Sequence, residues 1–268
     1  MLNLFKIEWL KIKTYRTFWV LFLAFLVFFP LALYFSAHKY MEAISSSNKM
    51  QEQMLKSFIE SPFVFPKVWQ ASAWMGGLFF ILIGMLFILL ITNEVQYRTH
   101  RQNIIDGWSR MDFLKAKFSI LIFFVMISTL LVFLSGLLVG TIFSTTKTDM
   151  FNRVYYVGYF ALMATLYLVV AFLAAILIKR TGLAIIIYFA FVCIVDNVLW
   201  LSFTFDGSQV GYYMPLEAVD SLIPNPFKPK IIERRTVEDY TLIIAAVAYI
   251  TAWVYIIIHY FRKTDLKT

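Results

Sequence analysis

Six stretches of this chain are apolar for about twenty residues each, and that feature excludes a fold whose surface faces water. An α-helix rises about 1.5 Å per residue, so about 20 residues cross a hydrocarbon core of roughly 30 Å with every backbone group bonded internally. The stretches lie near 18–37, 71–91, 118–143, 154–178, 182–203 and 240–260, and Asp196 in the fifth is their one charged residue. Strands of a membrane barrel alternate in polarity, whereas 78–91 is apolar on every side, so helices are predicted. With 61% hydrophobic and 15% charged residues, the excess apolar surface must face lipid. The expected fold is an all-α integral membrane protein, one membrane domain over 1–268 with six transmembrane helices. The first apolar run is full length behind a long basic leader, and Ser36-Ala37-His38 is a poor cleavage site, so it is expected to stay as a span rather than leave as a signal peptide.

Charge sets the expected orientation. With the N-terminus inside, the inner segments carry a net charge of +9 and the outer segments balance to zero. The positive-inside rule then places both termini in the cytoplasm. Because the basic residues are divided among membrane-flanking segments rather than gathered on one face, nucleic-acid binding is excluded as a function. Residues 1–17 place Leu2, Phe5, Trp9 and Ile12 at helical spacing beside Lys6, Lys11, Lys13 and Arg16, which predicts an amphipathic interfacial helix against lipid headgroups. A helix is also expected within the first outer loop, over 40–60. Residues 204–239 form a third outer loop whose stretch 216–223 is amphipathic; it either re-enters the outer leaflet or packs across the helix mouths.

The segment 92–117 is too polar to be only a connector. Asn93 can cap a short helix, Glu94 can pair with Arg98 four residues on, and Gly107 supplies the left-handed position at which helices end. Ser109 can cap the next helix, with Asp112 favoured near its positive end. Glu94, Thr99, Arg101, Gln102, Gly107, Ser109, Arg110 and Lys117, with the six spans and basic leader, resemble the permease subunits of type 2 ABC exporters. Arg98 stands where that family often has glycine. The resemblance implies that 92–117 holds a coupling helix seated on a separate ATPase subunit, with Arg101 and Arg110 as docking contacts. It also implies a second permease copy, the bacterial cytoplasmic membrane as location, and no cofactor in this chain, ATP and magnesium belonging to the partner. The alternative for these arginines is topological anchoring.

No GxxxxGK[ST] phosphate loop occurs, so the chain lacks that means of splitting ATP. His38, His100 and His259 lie in separate regions and form no catalytic or metal cluster, and the lone Cys193 forms no intrachain disulfide. Gly136 and Gly140 form a GxxxG for helix packing, while Asp196 and Asn197 are candidates for a translocation path or an interface. The rival reading, an ATP-independent secondary transporter or channel, would favour paired polar sites or an internal repeat, and neither is present. A lipid-modifying membrane enzyme would need acid, base or metal groups clustered at one face.

The orientation predicts that, in a Cys193→Ala background, Lys49→Cys reacts with an impermeant thiol reagent on intact cells and Gln102→Cys does not. The reverse labelling would overturn the assignment of sides.

Overall fold

A computed structural model describes residues 2–46, 61–96, 109–144, 149–205, 208–228 and 237–263. Helix α1 spans Leu2–Ile12, α2 Arg16–Ser46, α3 Val68–Gln96, α4 Arg110–Phe143 and α5 Tyr155–Ile178. The fifth apolar stretch is α6 (Thr181–Ala190), a π-helical turn (Phe191–Val195) and α7 (Asp196–Thr204). A 3₁₀ turn at Val210–Tyr213, the one-turn α8 (Glu217–Asp220) and α9 (Asp239–Lys263) complete the order. Among the described residues there is no strand, and six helices are long and apolar enough to cross a membrane. The protein is thus all-α, as its sequence requires.

Two helices run beyond their apolar cores into polar sequence. α4 starts at Arg110 because Ser109 is its N-cap: its Oγ accepts the Asp112 N–H, and Asp112 in turn accepts the Ser109 N–H. Lys117 therefore lies inside the helix rather than before it. α3 likewise continues through Asn93 to Gln96, so Asn93 caps no new helix and instead donates to Tyr15 Oη at 2.7 Å. The expected cap is corrected: the apolar stretch ends near Ile91, but the backbone ladder does not. α2 takes in the first part of the helix expected over 40–60, and 47–60 lies outside the described residues.

The core forms around α5, which is buried over 61% of its apolar window, against 17% for α9. α5 packs against α3, α4, α6, α8 and α9. Ala164, Ala171 and Ala175 are fully buried on it, so neighbouring backbones come close. α3 answers with glycine: a Cβ on Gly76 would lie 2.7 Å from Val132, and one on Gly77 3.0 Å from Met163. Gly136 and Gly140 of α4 face Ser72 and Phe65 at 2.7 and 2.4 Å from a built Cβ, so their packing partners lie within this chain.

Hydroxyls inside the spans need acceptors where water is absent. Those of Thr92, Thr129, Thr165, Ser202 and Thr251 each donate to the carbonyl four residues earlier in the same helix. The α1 end of the bundle and the opposite α8 end are tied differently. At the α8 end, Trp69 Nε1 donates to Met150 O at 2.7 Å, Gln70 Nε2 to Pro224 O at 2.8 Å and Tyr249 Oη to Tyr213 O at 2.9 Å.

Gly84 on α3 lets the fifth span come close, since a built Cβ would collide with the fully buried Tyr188 Oη. Gly84→Ala is expected to destabilise by about 1–3 kcal/mol in a mixed-micelle unfolding titration. Gly158→Ala, with nothing within 4 Å of a built Cβ, should be neutral or stabilise by up to about 1 kcal/mol. Equal tolerance of both changes would contradict this packing.

Candidate functional site

α1 presents a face of Phe5, Glu8, Trp9 and Ile12, the spacing that lines one side of a helix. Its aromatic residues meet the starts of two spans: Trp9 lies 5.5 Å from Phe123 of α4 and 6.1 Å from Phe18 of α2, centroid to centroid. In the middle of that apolar face sits a carboxylate, with the Glu8 side chain 1% exposed. Unpartnered, such a charge would be severely destabilising.

Its partner is Lys117, about two turns into α4 and only 3% exposed in its side chain. Lys117 Nζ donates to Glu8 Oε2 and, at 2.7 Å, to Glu94 Oε1 near the end of α3. The Phe113 ring lies 5.1 Å from the same ammonium. Lys11, one turn along α1, reaches Glu8 Oε1 at 3.1 Å and Glu94 Oε1 at 3.6 Å. Two carboxylates and two lysines thus balance where α1, α3 and α4 meet. Burial by itself would raise Glu8, but Lys117 and then Lys11 outweigh it and hold the carboxyl below its usual value. Beside this quartet, Thr92 and Thr181 hydroxyls share a hydrogen bond of 2.8 Å, which joins the start of α6 to the end of α3.

The network brackets the segment 97–108, because Glu94 stands two residues before α3 ends and Lys117 seven residues after α4 begins. Of the predicted site residues, Glu94 falls in this arrangement, and Ser109 caps α4 about two turns before Lys117. Arg98, Thr99, Arg101, Gln102 and Gly107 lie outside the described residues, as does the expected Glu94–Arg98 pair; Arg110 opens α4. Glu8 was absent from the predicted site. The signal was there, since residue 8 shares the stripe of 5, 9 and 12, but the partner is 109 positions away.

At the α8 end, Asp196 is 2% exposed. Its Oδ1 accepts the Leu216 N–H at 3.1 Å, which pins the start of α8 onto α7. Asn197 turns back to the Val192 and Cys193 carbonyls at 3.4 Å each. Tyr167 Oη donates to both oxygens of Asp220, at 3.0 and 2.8 Å, and Ser221 Oγ to Glu217 Oε1 at 2.6 Å. Burial pushes Glu217 up to about 7 and Asp220 up to about 8. Among the described residues no group of three or more metal-ligating side chains could hold an ion.

A family model described as "ABC-2 family transporter protein" matches residues 4–196, which include all four members of the ion network. No curated protein and no solved structure matches the chain.

Lys117→Met would remove the ammonium shared by the buried Glu8 and by Glu94, and is expected to cost about 3–5 kcal/mol in unfolding titrations. Adding Glu8→Gln should recover part of that loss; no recovery would mean that the two side chains act independently. Because Glu8 is held below its ordinary value of 4.5, its contribution is full above pH 4.5 and fades as pH falls further. Tryptic cleavage at Lys11 and Lys13 should therefore accelerate in the lysine variant already at neutral pH.

Proposed function

The chain belongs to the ABC-2 family of transporter proteins, and on that premise we propose that it is the permease half of an ATP-driven exporter, coupled through the segment 97–108. Two copies pair with two ATPase subunits, the simplest closed two-fold assembly. The α1 end faces the cytoplasm, where its lysines and arginines meet anionic headgroups and the partner ATPase. ATP and magnesium are held by that partner, since this chain has no phosphate loop.

The observation that carries this reading is the Glu8–Lys117–Glu94 network. Both helices that bound 97–108 are tied to α1 by one ammonium, so a displacement of that segment is shared among α1, α3 and α4. Neighbours in a packed bundle shift between discrete arrangements rather than deform continuously. Movement of the ATPase would then reach the spans as a population shift between inward- and outward-open packings. A solvated connector has no need of a buried Glu8–Lys117 pair, with Glu94 and Lys11 against it, beside its two ends.

The test is copurification of the full chain with its ATPase from native membranes, followed by ATPase and vesicle transport assays. Arg101→Glu with Arg110→Glu should weaken assembly, each lost charged contact costing about 1–3 kcal/mol. Gly107→Val should allow assembly but uncouple hydrolysis from transport, because the sequence expects a left-handed, helix-ending glycine there and a β-branched residue is strained in that conformation. If the double reversal copurifies and transports like wild type, the two arginines are topological anchors only. Transport by the chain alone, driven by an ion gradient, would overturn the ATP-driven reading.

A further inference from the structure

Near the α8 end, between α3, α5 and the fifth span, lies a cavity of about 340 Å³. That is within the range of small-molecule sites, roughly 300–1,000 Å³. Trp74 and Leu78 of α3 and Met163 of α5 give it apolar walls, and Tyr167, Asn197 and Asp220 give it polar atoms. Leu78 is 55% exposed, so the cavity opens at the outer surface of the bundle rather than only toward its core. Its far wall is the π-helical turn, where an extra residue per turn interrupts the regular ladder of the fifth span.

Charge decides what fits. Among the described residues, Asp196, Glu217 and Asp220 form no ion pair, whereas Glu8 and Glu94 at the other end each have lysines. The groups that act on Asp220 are Tyr167 from α5, Asp196 from α7, Glu217 from its own helix and Tyr188 from α6; Lys228 acts on Glu217. Tyr188 Oη is fully buried and has no hydrogen-bond partner. An anion here would face the Asp220 carboxyl, with Glu217 and Asp196 acting on that carboxyl from behind the wall. A neutral apolar molecule would fill the walls but leave Asp220 and Asn197 facing it without exchange of hydrogen bonds.

We propose that this cavity binds an organic ammonium ion with a short apolar body, with Asp220 as its counter-charge and Trp74, Tyr167 and Met163 around the cation and its chain. Aromatic faces attract such cations, and thioether and aliphatic walls accept the chain. Asp220 can exchange its proton for the ligand's charge, because burial holds the carboxyl up to about 8. Cation binding then releases a proton, and affinity rises with pH up to that value, by about tenfold per unit. Calling the ligand a transported substrate rests on the exporter reading; binding by the chain alone does not.

The experiment is calorimetry of the full chain in lipid nanodiscs, without any ATPase. Decyltrimethylammonium, decyl maltoside and decyl sulfate share one tail and differ in head, with empty nanodiscs subtracted. The ammonium should bind at least tenfold more tightly than the other two, and more tightly at pH 8 than at pH 6. Asp220→Asn keeps the shape and the Tyr167 contact, and should abolish both the preference and the pH dependence. Glu217→Gln, whose side chain bonds Ser221 and does not line the cavity, should change affinity less than threefold. Leu78→Trp narrows the mouth and should remove ammonium binding if Asp220→Asn does not fold. Competition by phosphatidylethanolamine would assign the ammonium to a lipid headgroup, and its absence to a free cation. Equal binding of the three heads, or wild-type ammonium binding by either cavity variant, would overturn the proposal and leave the ATPase-coupling reading standing.

Discussion

The α1 end depends on one buried ammonium. Lys117 is nearly inaccessible to water, and its charge is tolerable only because Glu8 and Glu94 reach it from two other helices. Apolar helices in lipid gain little from burying apolar surface against each other, because lipid tails solvate them as well as other side chains do. Close packing supplies contact energy, but a stripe of Phe5, Trp9 and Ile12 could slide along α4. The ion network sets the register. Any shift of α1 that separates Glu8 from Lys117 parts a buried ion pair and leaves Glu8 to Lys11 and Lys117 to Glu94, so α1 moves most readily together with α4.

The two halves of the bundle differ in how firmly they are held. α3 and α5 form a core in which glycine and alanine bring backbones together, and the Ser72, Thr92 and Thr165 hydroxyls donate within their own helices. The fifth span is buried over 22% of its apolar window and contains a π-helical turn. A π turn shifts the phase of the helix beyond it, which aims Asp196 inward toward the α8 segment. The exposed apolar side chains of α2, α6, α7 and α9 form a surface suited to lipid.

The spans were legible because lipid leaves a chain few choices: length, apolarity and internally bonded backbone coincide. The Ser109–Asp112 capping box was legible for the opposite reason, as it involves four consecutive residues. Contacts between distant segments were not. Asn93 looked like a cap because apolarity ends before it, yet its partner is Tyr15, 78 positions away. Asp196 could be read as part of a transport path or as lying at a membrane interface, and the Leu216 N–H that it accepts is 20 residues further on. Glu8 shares the stripe of Phe5, Trp9 and Ile12, but nothing local in the sequence says that a lysine in α4 turns inward to meet it. The arginines 98 and 101, and Gly107, lie outside the described residues.

α3 links the two ends. Its residues 74–81 line the cavity and Glu94 joins the ion network, about 20 Å from Ile81 to Glu94 at the helical rise. Between them Gly84 receives Tyr188, so the fifth span rests against the middle of the same rod. A continuous helix transmits a tilt along its length more readily than a loop, and Thr92 bonds within its own turn and to Thr181 at once. If α3 has two packings, occupancy of the cavity and the state of the network bias the same equilibrium. Linkage then makes the effect mutual: whatever free energy a movement at Glu94 adds to binding at Asp220, binding at Asp220 returns to the movement. A permease driven from the α1 end would release its ligand by this reciprocity without contact between the two sites.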